Sequence, residues 1–185
     1  MCDDDFYTKA INTALDAFHF TLPMSVRLTR IGERVPTTLI EQGGAFCDFR
    51  GDISLDGTPE VVEYVILIHE DIRSVNEPIE FETGIRYRIQ DFFDSIEVEF
   101  TKESLFLFSL LHELGHAVVY EKFRRGGTED KYPILIKPVL SSEDINSKWI
   151  DKNGIKYYQY LNIIEAQSDI FALTNFNKIW KILIR

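Results

Sequence analysis

His112 and His116 stand four residues apart in Ser109-Leu110-Leu111-His112-Glu113-Leu114-Gly115-His116-Ala117-Val118, with Glu113 directly after the first of them. On a helix, residues four apart lie on one face, nearly one turn from each other. The two imidazoles could then share one metal ion, while Glu113 projects to the flank of that face. There its carboxylate can reach a water on the metal without taking up a coordination position. H-E-x-x-H with this division of roles is the zinc-hydrolase arrangement: two histidine ligands, and a glutamate that takes a proton from the water. The surrounding run adds weight. Leu105-Phe106-Leu107-Phe108 precede the motif and Ala117-Val118-Val119 follow it, so the helix is apolar on most sides and belongs in the interior. Two histidines and a glutamate are costly there unless partnered. Gly115 implies a close neighbour, such as a strand or a substrate backbone, because glycine costs about 1 kcal/mol against alanine inside a helix. The alternative is a core helix whose histidines are satisfied by ordinary hydrogen bonds.

A catalytic zinc keeps three protein ligands and one open position, so a third ligand is needed. A metzincin would carry glycine and then histidine at the positions that Val119 and Lys122 occupy here, which excludes that class. The remaining histidines, His19 and His69, lie upstream. His19 reads as structural, and His69, at a strand end, either faces the cleft or, the reading preferred, is a capped surface residue. The better source is downstream, in Asn162-Ile163-Ile164-Glu165-Ala166-Gln167-Ser168-Asp169-Ile170-Phe171-Ala172. Glu165 and Asp169 share one face of a second apolar helix. Glu165 can complete a His-His-Glu site, and Asp169 can accept the other ring N–H of a ligand histidine, fixing its tautomer. The alternative is a pair of solvated carboxylates, against which Leu161, Ile164, Ala166, Ile170 and Phe171 wrap much of the helix.

Phe108 to His116, taken together with Glu165 to Ala172, resembles the gluzincin metallopeptidases, and more narrowly the small ImmA/IrrE-type peptidases of bacteria and phages. These pair an HELGH helix with a later helix of the form E-A-x-x-D/N-x-F-A. The resemblance implies His112, His116 and Glu165 as zinc ligands, Glu113 as general base and Asp169 as a residue behind the ligands. It covers mainly these two helices. The long segment between them, residues 124–157, and the stretch 71–104 before the metal helix depart from the pattern, and the helix-turn-helix domain often attached to such peptidases has no room.

Length and composition bound the rest. The 185 residues favour one domain, 1–185, with a sizeable core. At 45% hydrophobic and 13% aromatic residues the chain is globular rather than disordered. Lys and Arg total 20 against 30 Asp and Glu, for a net charge of −10, which argues against nucleic acid as a partner. Protein or peptide substrates are compatible with it. Cys2 and Cys47 are too few for a disulfide framework and lack zinc-ligand spacing; Cys47 reads as a small core hydrophobe. There is no signal-peptide pattern and no apolar run of membrane-spanning length, so a reducing cytoplasm and no membrane are the expectation.

The elements that must position these residues follow from periodicity. Residues 4–20 read as an amphipathic helix on Phe6, Ala10, Ala14 and Phe18, ended by Leu22-Pro23. Val26–Ile31, Ala45–Arg50 and Val61–His69 read as strands, the last being the strongest, with Gly51–Pro59 a turn region. A helix is expected over roughly 82–94, then a short extended piece into Thr101, which caps the metal helix with Glu103 in its first turn. That helix should end near Phe123, before Arg124-Arg125-Gly126-Gly127. Asn153-Gly154, between Trp149-Ile150 and Ile155, reads as a small hairpin. Segment 124–157 either shapes the cleft or is an insertion without function. The last helix should run from about Tyr157 to Asn175, with Phe176–Arg185 as a packing helix. The fold class expected is α+β: a small three-stranded sheet with an N-terminal helix, packed on the H-E-x-x-H helix and a C-terminal ligand helix, zincin-like as the resemblance implies.

The chemistry expected is metal-assisted peptide hydrolysis, with Glu113 taking a proton from the attacking water and passing it to the leaving nitrogen. Tyr120, Tyr157, Tyr158 and Tyr160 are nearby oxyanion donors by sequence, though core packing serves each as well. Two other classes stay open: a catalytically silent, metal-bearing module that binds a protein, and hydrolysis of a non-peptide amide.

Overall fold

The longest β-branched run of the sequence becomes the middle of a sheet. Strand β3 (Pro59–His69) lies between β1 (Met24–Thr29), which runs parallel to it, and β2 (Ala45–Ile53), which runs antiparallel. The computed structural model describes residues 4–30, 44–53, 59–70, 92–127, 150–152, 155–157 and 163–185. Tyr64, Ile66 and Ile68 alternate onto one face of β3. Their partners are Phe49, Cys47 and Ala45 on β2, and Met24, Val26 and Leu28 on β1. All nine side chains join the same hydrophobic core.

That face receives α2 (Lys102–Arg125), the helix carrying H-E-x-x-H. Leu105 to Leu111 and Leu114 are buried without interruption, which explains why the helix is apolar around most of its girth. Its start is specified by Thr101, as expected. The Thr101 hydroxyl accepts from the Ser104 N–H at 3.2 Å, and the Thr101 N–H donates to Ser104 Oγ at 2.9 Å. Serine here does the reciprocal work more often done by glutamate or glutamine. Glu103 in the first turn and Lys122, Arg124 and Arg125 in the last suit the helix dipole. Gly126 closes the helix, and Gly127 follows at φ 62°.

Helix α3 (Ile163–Leu183) packs along α2, and α1 (Asp4–Ala17) lies against both. Tyr7 meets Phe106 of α2 at 4.8 Å between ring centroids, and Phe6 meets Trp180 of α3 at 6.1 Å. Lys9 Nζ donates to the carbonyl of Leu183 at 3.1 Å. The small hairpin is present: β4 (Ile150–Lys152) and β5 (Ile155–Tyr157) pair antiparallel on either side of Asn153-Gly154.

Several boundaries differ from the sequence reading. Helix α1 ends at Ala17, not at residue 20. Phe18 turns onto Phe171 (4.8 Å) and Phe20 onto Tyr64 (6.0 Å), so tertiary contacts claim residues that periodicity assigned to the helix. Strand β1 begins two residues early. The expected turn 51–59 is partly strand, because the ladder runs past a register shift at Arg50/Gly51. A side chain at Gly51 would meet the Glu60 carbonyl oxygen at 2.9 Å. The last helix starts at Ile163, since residues 155–157 are spent on the hairpin, and continues unbroken past Asn175. Ala172, Phe176, Ile179 and Leu183 keep one buried face going, and Trp180 stacks on Phe176 at 5.6 Å. Of the helix expected over 82–94, residues 92–95 form a helical turn and 82–91 lie outside the described residues, as does the segment 128–149. Among the described residues no helix is long and apolar enough to cross a membrane.

A carboxylate ties the far end of α2 to the sheet. Glu121, only 5% exposed, accepts from the Thr21 N–H (2.9 Å), the Thr21 hydroxyl (2.7 Å) and the Tyr64 hydroxyl (3.2 Å). Arg125 lies 3.7 Å from its other oxygen, and Arg124 Nη1 donates to the Thr21 hydroxyl at 2.6 Å. Burial opposes ionisation of Glu121, but the hydrogen bonds from Thr21 and Tyr64 and the charge of Arg125 outweigh it and hold its pKa below the usual 4.5. Burial, followed by the Glu121 charge, drives the Tyr64 phenol far up.

Replacing Glu121 by Gln should cost about 2 kcal/mol at neutral pH, the scale of hydrogen bonds to a buried charge. Because the folded-state pKa is lowered, the carboxylate's contribution is complete above about 4.5 and is lost as pH falls through the lowered value. Urea unfolding of both proteins from pH 7 into the acid range checks this. The gap between them should narrow on acidification.

Candidate metal centre

Helix α2 delivers its two histidines as the spacing requires. His112 Nε2 and His116 Nε2 face each other at 3.2 Å, their rings crossed at 82°. Glu113 offers a carboxylate oxygen to the same group, and the ligand atoms of His112, Glu113 and His116 all lie within 4.8 Å of one another. The group is sheltered: His116 is 9% exposed and Glu113 7%. His112, His116 and Glu113 could therefore hold a metal ion. The donor set passes a simple geometric test. Two nitrogens bound to one tetrahedral zinc at about 2.0–2.1 Å sit roughly 3.3–3.4 Å apart, close to the separation found. A hydrogen bond between the rings would also fit that distance, but it requires one Nε2 to carry a proton.

Helix α3 settles the tautomer of His112. Asp169 Oδ1 lies 2.8 Å from His112 Nδ1, and Asp169 is 4% exposed. A carboxylate accepts, so His112 Nδ1 carries the proton. In the neutral ring this leaves the Nε2 lone pair facing His116. The close neighbour anticipated for Gly115 is the backbone of α3, rather than a strand or a substrate: a Cβ built on Gly115 would stand 2.8 Å from Ser168 Cα.

Four of the sequence-predicted site residues, His112, Glu113, His116 and Asp169, are thus brought together from two helices. Glu165 is in the first turn of α3, one turn before Asp169, and its side chain lies outside the described residues. His19 is exposed beyond the end of α1. His69 is buried, at 2% exposure, and not a capped surface residue; strand alternation assigns it to the sheet face opposite Ile66 and Ile68. Tyr120 packs with Phe49 and Tyr64 in the core. The side chains of Tyr157, Tyr158 and Tyr160 lie outside the described residues.

Two features near the site carried no motif. Cys47 is a buried strand residue, as expected of a small hydrophobe, but it also neighbours the site: burial, then the charges of Glu113 and Asp48, push its thiol pKa up. Strand β2 packs against α2. Ser168, fully buried, supplies the surface on which Gly115 rests; only the small side chains at both positions could have hinted at it. No protein-family model, curated protein or solved structure matches this chain.

If the site holds zinc, changing Asp169 to Asn should leave the fold intact and weaken that binding by roughly 10–100-fold, the usual effect of removing the group behind a ligand histidine. Competition with a chromogenic chelator measures it.

Proposed function

We propose that this chain is a zinc-dependent endopeptidase of the gluzincin kind, similar to the ImmA/IrrE-type peptidases, which hydrolyses a peptide bond in a particular protein substrate such as a regulator. The observation that carries the reading is the pair of Nε2 atoms converging at 3.2 Å with the Glu113 carboxylate in the same group and Asp169 behind His112. In this reading His112 and His116 hold zinc through Nε2, and Glu165 is the third ligand. Zinc, when bound, supplies Lewis-acid chemistry, lowering the pKa of water and polarising a carbonyl.

The protein's own groups do the rest. Glu113 accepts a proton from the attacking water and returns it to the leaving amide nitrogen, so the carboxylate is regenerated in each turnover. Asp169 keeps the proton of His112 on Nδ1 and the Nε2 lone pair aimed inward. Strand β2 supports substrate binding. Among the described residues it pairs with β3 alone, and its buried Cys47 lies within the field of Glu113. A peptide added along the outer side of β2 would be held by backbone hydrogen bonds beside that carboxylate.

Elemental analysis should find about one zinc per chain in wild type and a sharp loss of affinity in Glu165→Ala. Absence of zinc from reconstituted wild type would sink the reading, while equal binding by both proteins would reject Glu165 alone. Glu113→Gln should keep the metal and lower peptide hydrolysis by roughly 10²–10⁴-fold. A Glu113→Gln protein that retains its full biological effect would point instead to a metal-bearing binding module.

A further inference from the structure

Helices α2 and α3 come into close backbone contact where Gly115 meets Ser168. A Cβ on Gly115 would lie 2.8 Å from Ser168 Cα, 3.0 Å from its carbonyl oxygen and 3.1 Å from its Cβ. Two of those atoms are backbone, which cannot rotate aside, so a side chain at 115 must drive the helices apart. Glycine otherwise weakens a helix interior, and α2 accepts it within a buried stretch.

The position of this contact gives it a consequence. The residue after Ser168 is Asp169, and its partner His112 lies three residues before Gly115 on the same face of α2. The bond from His112 Nδ1 to Asp169 Oδ1 is 2.8 Å long. A separation of several tenths of an ångström would take it toward the outer limit for a hydrogen bond. We propose that Gly115 is a positioning residue: by having no side chain it sets the depth at which α3 seats on α2, and so delivers Asp169 to His112. The effect on zinc rests on the metal reading above; the effect on the hydrogen bond does not. The Ser168 hydroxyl plays no part. It is buried with no hydrogen-bond partner among the described residues, so the backbone and Cβ of Ser168 make the contact.

The test uses the full chain with ¹⁵N-labelled histidine, first metal-free and then titrated with zinc against a chelator. Gly115→Ala should keep its helical circular dichroism, shift the His112 Nδ1–H resonance and speed its exchange with water. Its zinc affinity should fall roughly 10–100-fold, as for loss of the carboxylate itself. Ser168→Ala should match wild type in both readouts. In an Asp169→Asn background, Gly115→Ala should add less than about a threefold loss, since coupled changes are not additive. An unchanged Nδ1–H signal in Gly115→Ala would overturn the proposal, as would an equal loss of affinity with and without Asp169. Should Gly115→Ala not fold, Ser168→Val crowds the same crossing from the other helix and must reproduce the resonance shift. Wild type that binds no zinc would overturn the metal reading, while the metal-free resonances still decide the role of Gly115.

Discussion

Two imidazoles sheltered in a helix that is buried along most of its length need partners, and that requirement organises the structure around them. His112 has two ring nitrogens to satisfy. Asp169 takes one, and the other faces the corresponding nitrogen of His116. With no ion between them, one ring must hold a proton for the other. With an ion, both stay neutral and each lone pair is used.

The rest of the molecule keeps α2 where this can happen. Its start is fixed by the reciprocal Thr101–Ser104 bonds, and its end by Glu121, which gathers Thr21, Tyr64 and Arg125. The two anchors differ in kind. The first is local and would cap the helix anywhere, whereas the second joins the segment after α1, the central strand and the last turn of α2. Between them the helix rests on Tyr64, Ile66 and Ile68, and its opposite side receives α3. The face bearing His112 and His116 thus lies at the seam between sheet, helix and helix.

Much of this was legible in the sequence because it was periodic or capped. The four-residue spacing of His112 and His116, the cap at Thr101, the β-branched run 61–69 and Asn153-Gly154 each carry a local signal strong enough to survive folding. The pairing of Asp169 with a histidine of the motif was also readable, since a carboxylate on an apolar helix needs a donor. What was not readable is non-local. Nothing near Phe18 or Phe20 announces that their rings belong to Phe171 and Tyr64, so the helix end was misplaced. Asn175 marks no boundary, because the buried face of α3 runs through it. Glu121 looks like any charged residue in a last turn, and its partners come from residue 21 and residue 64. Sheet order, which makes β2 rather than β3 a flanking strand, leaves no trace in the pattern of any single strand.

The hydrogen bond from His112 to Asp169 spans 57 residues of chain. At ribosomal speeds of about 5–20 residues per second, that stretch takes roughly 3–11 s to synthesise. Through that interval the histidine helix exists without the helix that orients it. The pairing of His112 with Asp169 is therefore conditional on α3 having been made and docked.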